Sequence, residues 1–216
     1  MSKASKVYCL VKFGPRSFME EFRSQGRLYM NTLKYFKRLE ANDALRSDKS
    51  EGLHSSFPAD KMRIKVGALE LPNLFGQVKF GDPEDDSITI FSIYALTELN
   101  RNVIVDDKVL GFGDTAVVIR RGDEFIERVT HECERRGWGY KIDLVDYVDK
   151  TSHQGRMGPF RKYSDLDFQS EYRIAFRSGR PGAITDFYVG DLSDITEICE
   201  SRLVKSGFRF ESAESS

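Results

Sequence analysis

Apolar residues along this chain fall mostly in short alternating runs, and sustained helical periodicity is rare. Residues 6–12, KVYCLVK, set Val7, Cys9 and Val11 against Tyr8, Leu10 and Lys12 and predict a strand buried on both faces or nearly so. After the breaker Gly14-Pro15, Ser17 and Glu20 have the spacing of a capping box. Phe18, Met19 and Phe22 then supply the apolar stripe of a helix that Gly26 is placed to end. RLYM predicts a short strand, and Thr32 is positioned to cap a second short helix carrying Leu33, Tyr35, Phe36 and Leu39. Residues 41–60 turn charged and small without either period, which predicts a long loop and therefore a candidate wall or lid of a site.

MRIKV, GQVKF and SITIFSIYAL read as strands between Gly, Pro and Asp turns, the last apolar enough to be central. GDTAVVIR is a further strand, and RGDEFIERVTHECERRG is the clearest helix, with Phe125, Ile126, Val129 and Cys133 on one face and Gly137 beyond its end. GYKIDLVDYV, SEYRIAFR and DFYVGD predict strands, SDITEICESRL a short capped helix, and GFRF a closing strand. Strands outnumber helices and do not alternate with them regularly, so the expected class is α+β with a mainly antiparallel sheet or two packed sheets. One domain over residues 1–210 and a disordered tail over 211–216 complete this organisation.

A chain of 216 residues that is 40% apolar can bury a core of this kind. Its formal charge of −1 excludes a globally basic nucleic-acid binder and confines any polyanion site to a local patch. With no apolar run near bilayer length and no signal-peptide pattern, the expectation is a soluble, cytoplasmic protein that does not engage membranes. Cys9, Cys133 and Cys199 lie far apart without a CxxC, and reduced thiols are expected; His131 and Cys133, two apart on a helix, do not make a metal site.

GxGxxG, Walker, HExxH and GxSxG patterns are absent. In SEYRIAFR, Tyr172, Ile174 and Phe176 make one face, so Glu171, Arg173, Ala175 and Arg177 project from the other. Glu171 thus stands at the head of an anchored strand just after a polar loop, with Gln169 on the same side if the extended conformation reaches that far. A carboxylate and an amide so placed can bind the two hydroxyls of a ribose and hold a developing cation. A solvated ladder of charges on a sheet face uses the same spacing, and is the commoner role of charged strand residues. Arg156, Arg161 and Lys162, interleaved with Phe160 and Tyr163, have the composition either of a nucleic-acid grip or of an ordinary solvated loop.

The ordered set VYCLVKF, GRLYMNTLKYFKRLE, RSDKSEG, ITIFSIYAL, FGDTAVVIR and QSEYRIAF, spanning residues 7–177, resembles the ADP-ribosyltransferase superfamily. It is most similar to a group of poorly characterised bacterial proteins of toxin or phage-defence type related to that superfamily. The resemblance implies a split two-sheet β core around an NAD cleft, with short flanking helices and NAD as co-substrate. It gives Glu171 the role of holding the nicotinamide ribose as nicotinamide leaves and Gln169 that of placing the acceptor. Lys12, standing where relatives carry His or Arg, would hold NAD, with Tyr29 and Asn31 or Tyr35 and Phe36 lining the nicotinamide. Ser92 would support the glutamate and the ribose; Arg46, Asp48 and Glu51 fit the loop signature, Arg46 suiting a pyrophosphate. The implied activity is mono-ADP-ribosylation of nucleic acid or protein, with an antitoxin as a further partner. A non-catalytic RNA- or nucleotide-binding regulator on the same fold is the alternative; nuclease chemistry lacks a metal-ligand cluster or histidine pair to support it.

Overall fold

The computed structural model describes residues 6–38, 50–51, 53–81, 86–98, 100 and 105–205. In its first half the chain forms β1 (Val7–Gly14), α1 (Arg16–Gln25), β2 (Arg27–Thr32), α2 (Leu33–Arg38), β3 (Leu53–Pro58), β4 (Lys65–Val66), β5 (Leu69–Glu70), β6 (Gln77–Gly81) and β7 (Ile88–Thr97). There follow α3 (Asp107–Leu110), β8 (Thr115–Ile119), α4 (Gly122–Arg136), β9 (Gly139–Leu144), β10 (Asp146–Val148), β11 (Gly155–Arg156) and β12 (Arg161–Tyr163). The last elements are β13 (Glu171–Arg177), β14 (Ile184–Tyr188), β15 (Thr196–Glu200) and α5 (Ser201–Lys205). The class is α+β, and the main sheet is antiparallel.

That sheet is organised by β7, the longest and most apolar strand. On one edge β7 pairs with β13 without interruption, from Ile88↔Arg177 to Tyr94↔Glu171. On its other edge it meets two different strands: β1 at positions 94–97 and β2 at Thr89 and Ile90. Phe91, Ser92 and Ile93 lie between these two ladders, where the sheet splits. β1 continues outward to β8 and β15, and β2 to β14. The period of two then sorts the faces. Phe91, Ile93 and Ala95, with Ile174 and Phe176, pack against Met19 and Phe22 of α1 and Phe125, Val129 and Cys133 of α4 in the principal core. Ile90, Ser92 and Tyr94, with Glu171, Arg173 and Ala175, face the other way.

Gly26 ends α1 in the left-handed region, at φ 62°, and its N–H bonds the Phe22 carbonyl. Thr32 Oγ1 accepts from the Tyr35 N–H at 3.1 Å and opens α2 as its side chain predicts. Several expectations are corrected. Ser17 does not cap α1: Pro15 occupies the N-cap position, Ser17 is already helical, and Glu20 pairs with Arg16. Residues 53–58, expected as loop, are β3, a strand between β6 and β11. Its buried Ser55 and Ser56 escape an apolar-pattern reading, and Ser56 is satisfied by Tyr163 and Gln77 side chains. Of MRIKV only Lys65 and Val66 form a ladder, a two-residue exposed hairpin with β5. GYKIDLVDYV breaks at Val145 into β9, on the main sheet, and β10, which pairs in parallel with β12.

SDITEICESRL is not a helix at its start. Thr196 to Glu200 add a strand to the edge of β8, and helix begins only at Ser201. The β-branched Thr196 and Ile198 favour this outcome over the cap signal. GFRF and the 211–216 tail lie outside the described residues, as do Arg46 and Asp48.

Candidate functional site

The split in the main sheet opens a cavity of about 490 Å³. Its walls come from both faces: Lys12 from β1, Phe18 and Met19 from α1, Tyr29 and Asn31 from β2, Tyr35 and Phe36 from α2, and Ser92 from β7. Glu51, Lys162, Gln169, Glu171 and Arg173 complete it. Every described residue that the resemblance implies for the NAD site therefore reaches one space.

Ser92 is the meeting point. Lys12 Nζ donates to its main-chain carbonyl at 2.6 Å, on a strand segment that neither β1 nor β2 pairs. The same ammonium lies 4.4 Å from the Phe91 ring centroid. The Ser92 hydroxyl donates to Glu171 Oε2 at 2.6 Å. Lys12 and Glu171 thus approach one residue from different sides, the lysine through the backbone and the glutamate through the side chain.

Glu171 is buried, and both of its oxygens are bonded. Its Oε1 accepts from Lys162 Nζ at 2.6 Å, and its Oε2 accepts from Arg173 Nε at 2.7 Å as well as from Ser92. Arg173 extends the lattice, donating from both terminal nitrogens to the Glu51 carboxylate at 2.8 Å each and to the Pro159 carbonyl at 2.6 Å. Lys162 also donates to Gln169 Oε1 at 2.6 Å and stands 3.6 Å from Glu51. Two carboxylates and two cations, all nearly sealed from water, so neutralise each other. Burial by itself pushes the Glu171 carboxyl up, but the adjacent Arg173 and Lys162 charges outweigh it and hold the group well below the usual carboxylate range. For Arg173, burial works against the charge and Glu171 and Glu51 restore it, with a net upward shift. The Glu171 N–H is taken by the Tyr147 hydroxyl at 3.0 Å.

Gln169 reaches the site by a route other than the extended one. Residues 164–169 form a 3-10 helix, and Ser170, at φ 39°, turns the chain into β13. The amide oxygen is nevertheless aimed at Lys162. Tyr29, Asn31, Tyr35 and Phe36 line the outer part of the cavity, Tyr35 and Phe36 in an edge-to-face pair at 5.4 Å.

The nucleic-acid grip considered for the second loop is corrected by burial. Lys162 and Tyr163 are interior, the first held by Glu171 and the second bonded to Ser56, so neither is available to a polymer. Arg161 is committed to Asp146 and the Arg156 carbonyl. The sequence reading offers Lys162 only as part of a nucleic-acid grip and not as a partner of Glu171, does not place Arg173 in the site, and takes Glu51 only from the loop pattern. Arg173 was legible, because it shares the strand face of Glu171; Lys162 and Glu51 were not, because their burial is decided by tertiary contacts alone.

A wider and more open depression of about 980 Å³ runs beside α4 and β14. Of its charged groups, Arg128 pairs on the surface with Glu124 and with Asp194, which stands outside the depression. It holds no buried lattice comparable to that around Glu171. The thiols lie away from this chemistry: burial raises Cys9 to about 11 and Cys133 to about 12, which keeps both protonated. Among the described residues no helix is long and apolar enough to cross a membrane. Comparisons with protein-family models, curated proteins and solved structures find no match to this chain.

Proposed function

We propose that the protein is an NAD-dependent mono-ADP-ribosyltransferase, a bacterial toxin or phage-defence effector working in the cytoplasm, with Glu171 as its catalytic carboxylate. The observation that carries this reading is the convergence of Lys12, Ser92, Gln169 and Glu171 on one cavity at a split in the sheet, through contacts of 2.6 Å. Lys12 and Glu171, 159 positions apart, meet there, which a solvated ladder of charges does not require.

The donor set suits a ribosyl nucleotide: a fixed carboxylate and an amide for hydroxyls, and an aromatic outer wall for rings. When bound, NAD supplies an activated ribosyl group and a neutral leaving group, nicotinamide. Glu171 accepts a hydrogen bond from a ribose hydroxyl and stabilises positive charge developing on the sugar. Of its three donors only Ser92 is uncharged, and rotation of that hydroxyl frees Oε2 for the ribose while Arg173 continues to hold the carboxylate. Gln169, oriented by Lys162, faces the acceptor, and the acceptor's proton leaves to solvent. Lys12 fixes the segment of β7 that β1 and β2 leave unpaired, and so the place of Ser92. An acceptor base or side chain and a neutralising antitoxin belong to the same proposal.

A second reading is favoured by the engagement of Glu171 within the fold: with both oxygens already bonded, the lattice also serves as a neutral floor for a nucleotide-binding module without turnover. Incubation of the protein with labelled NAD and cell extract separates the two. Label transfer that disappears with Glu171→Ala supports the enzyme, whereas NAD binding without transfer supports the module and transfer unaffected by the substitution removes Glu171 from the chemistry.

A further inference from the structure

The mouth of the cavity carries aromatic surface that the fold does not use. Phe18 is 59% exposed, Tyr29 51% and Tyr35 45%, and these three come from different elements, α1, β2 and α2, to border one opening. Single exposed aromatics are ordinary on a protein surface; three around one polar-floored cavity make a patch.

The outward face of β2 explains how the patch is built. Leu28, Met30 and Thr32 point inward, so Arg27, Tyr29 and Asn31 line up on the face that also bears Ile90, the direct partner of Asn31. Arg27 is committed: its NH1 bonds both oxygens of Glu21 at 2.8 and 2.9 Å, and its Nε bonds the Thr185 carbonyl. Asn31 is different. Its half-buried amide, directed into the cavity, makes no hydrogen bond among the described residues, and neither do the hydroxyls of Tyr29 and Tyr35. A ring face with an unsatisfied amide one strand repeat away is complementary to a flat heterocycle whose edge carries both donors and acceptors.

We infer that Phe18, Tyr29, Asn31 and Tyr35 form a nucleobase subsite at the cavity mouth, in place of the nicotinamide wall that the resemblance implies for Tyr29, Asn31 and Tyr35; the base stacks on the tyrosine rings and Asn31 reads its edge. The inference rests on the reading that the cavity takes a nucleotide, but it does not need the transfer chemistry at Glu171. With Arg27 occupied by Glu21, the subsite recognises the base itself and leaves the phosphate to solvent or to other groups. The same ring can arrive from two sources, the adenine of the co-substrate or a base of a single-stranded acceptor.

Calorimetric titration of the full chain with AMP, with NAD and with a short mixed-sequence single-stranded RNA, repeated on Tyr29→Ala, Tyr29→Phe and Asn31→Leu, tests this. Tyr29→Ala is expected to weaken the bound base about 5- to 150-fold, from the usual worth of one base–aromatic stack, whereas Tyr29→Phe retains affinity. Asn31→Leu is expected to weaken AMP binding, because the edge of the base loses its amide partner. Tyr29-dependent binding of RNA without NAD binding keeps the subsite and removes the NAD reading. NAD binding indifferent to Tyr29 and Asn31 keeps that reading and overturns the subsite. Absence of binding by all three ligands overturns both.

Discussion

Replacing Arg173 with methionine leaves Glu51 and Glu171 buried together without the guanidinium that joins them. Breaking a buried ion pair from one side costs about 3–5 kcal/mol, and a loss of unfolding free energy of that size is expected in denaturant titration, larger than that of Arg16→Met, whose partner Glu20 is on the surface. The Glu171 carboxyl also ties stability to pH. Because its native pKa lies below the ordinary value near 4.3, the stabilisation it provides is fully present above about pH 5 and is lost as pH falls through the native value. Thermal unfolding followed from pH 6 to pH 2.5 is expected to show a steeper acid decline in the native protein than in Glu171→Gln; equal slopes would place the carboxyl at an ordinary pKa. Alternation along SEYRIAFR was enough to locate Glu171 and Arg173 on one face before any coordinates. Lys162 sits in a polar run indistinguishable from solvated loop, and only its convergence with residues 51, 169 and 171 gives it a role.

At the scale of elements, the turn from α1 into β2 depends on Gly26. A Cβ there would stand 2.2 Å from the Gly190 carbonyl oxygen and 2.6 Å from Val189 Cγ2, in a backbone region that L-residues already resist. Gly26→Ala is expected to cost at least about 2 kcal/mol, a fall in melting temperature of roughly 4–8 °C, measurable by calorimetry. β2 carries Tyr29 and Asn31, so the same turn aims the cavity mouth. Elements with strong internal pattern, α4 and β7 above all, were readable from apolar periodicity. β3 and β15 were not. β3 buries Ser56, whose hydrogen-bond partners come from residues 77 and 163, and β15 takes strand form because the edge of β8 is there to pair with.

Over the whole molecule, the Glu51–Arg173 bridge links the small β11-β3-β6 sheet region to the main sheet across the cavity. Hydrogen exchange on Glu51→Gln is expected to show faster exchange over residues 53–58 while β7 and β13 keep their protection, since the main sheet retains its own ladders and core. Uniform acceleration would mean that the two sheets open as one unit. The near-zero net charge has a counterpart here, because the densest charge in the interior is a balanced set of two acids and two bases. The split of β7 between β1 and β2 creates the cavity around that set. Composition carried no trace of the split; it depends on which strands share an edge. Nicotinamide release from NAD by the native protein and by Glu171→Gln, each verified to be folded by its melting curve, tests the role of that site most directly. Release by the native protein, reduced at least ~100-fold by the substitution, is the expected result; equal release from both, or none from a native protein that binds NAD, contradicts a catalytic Glu171.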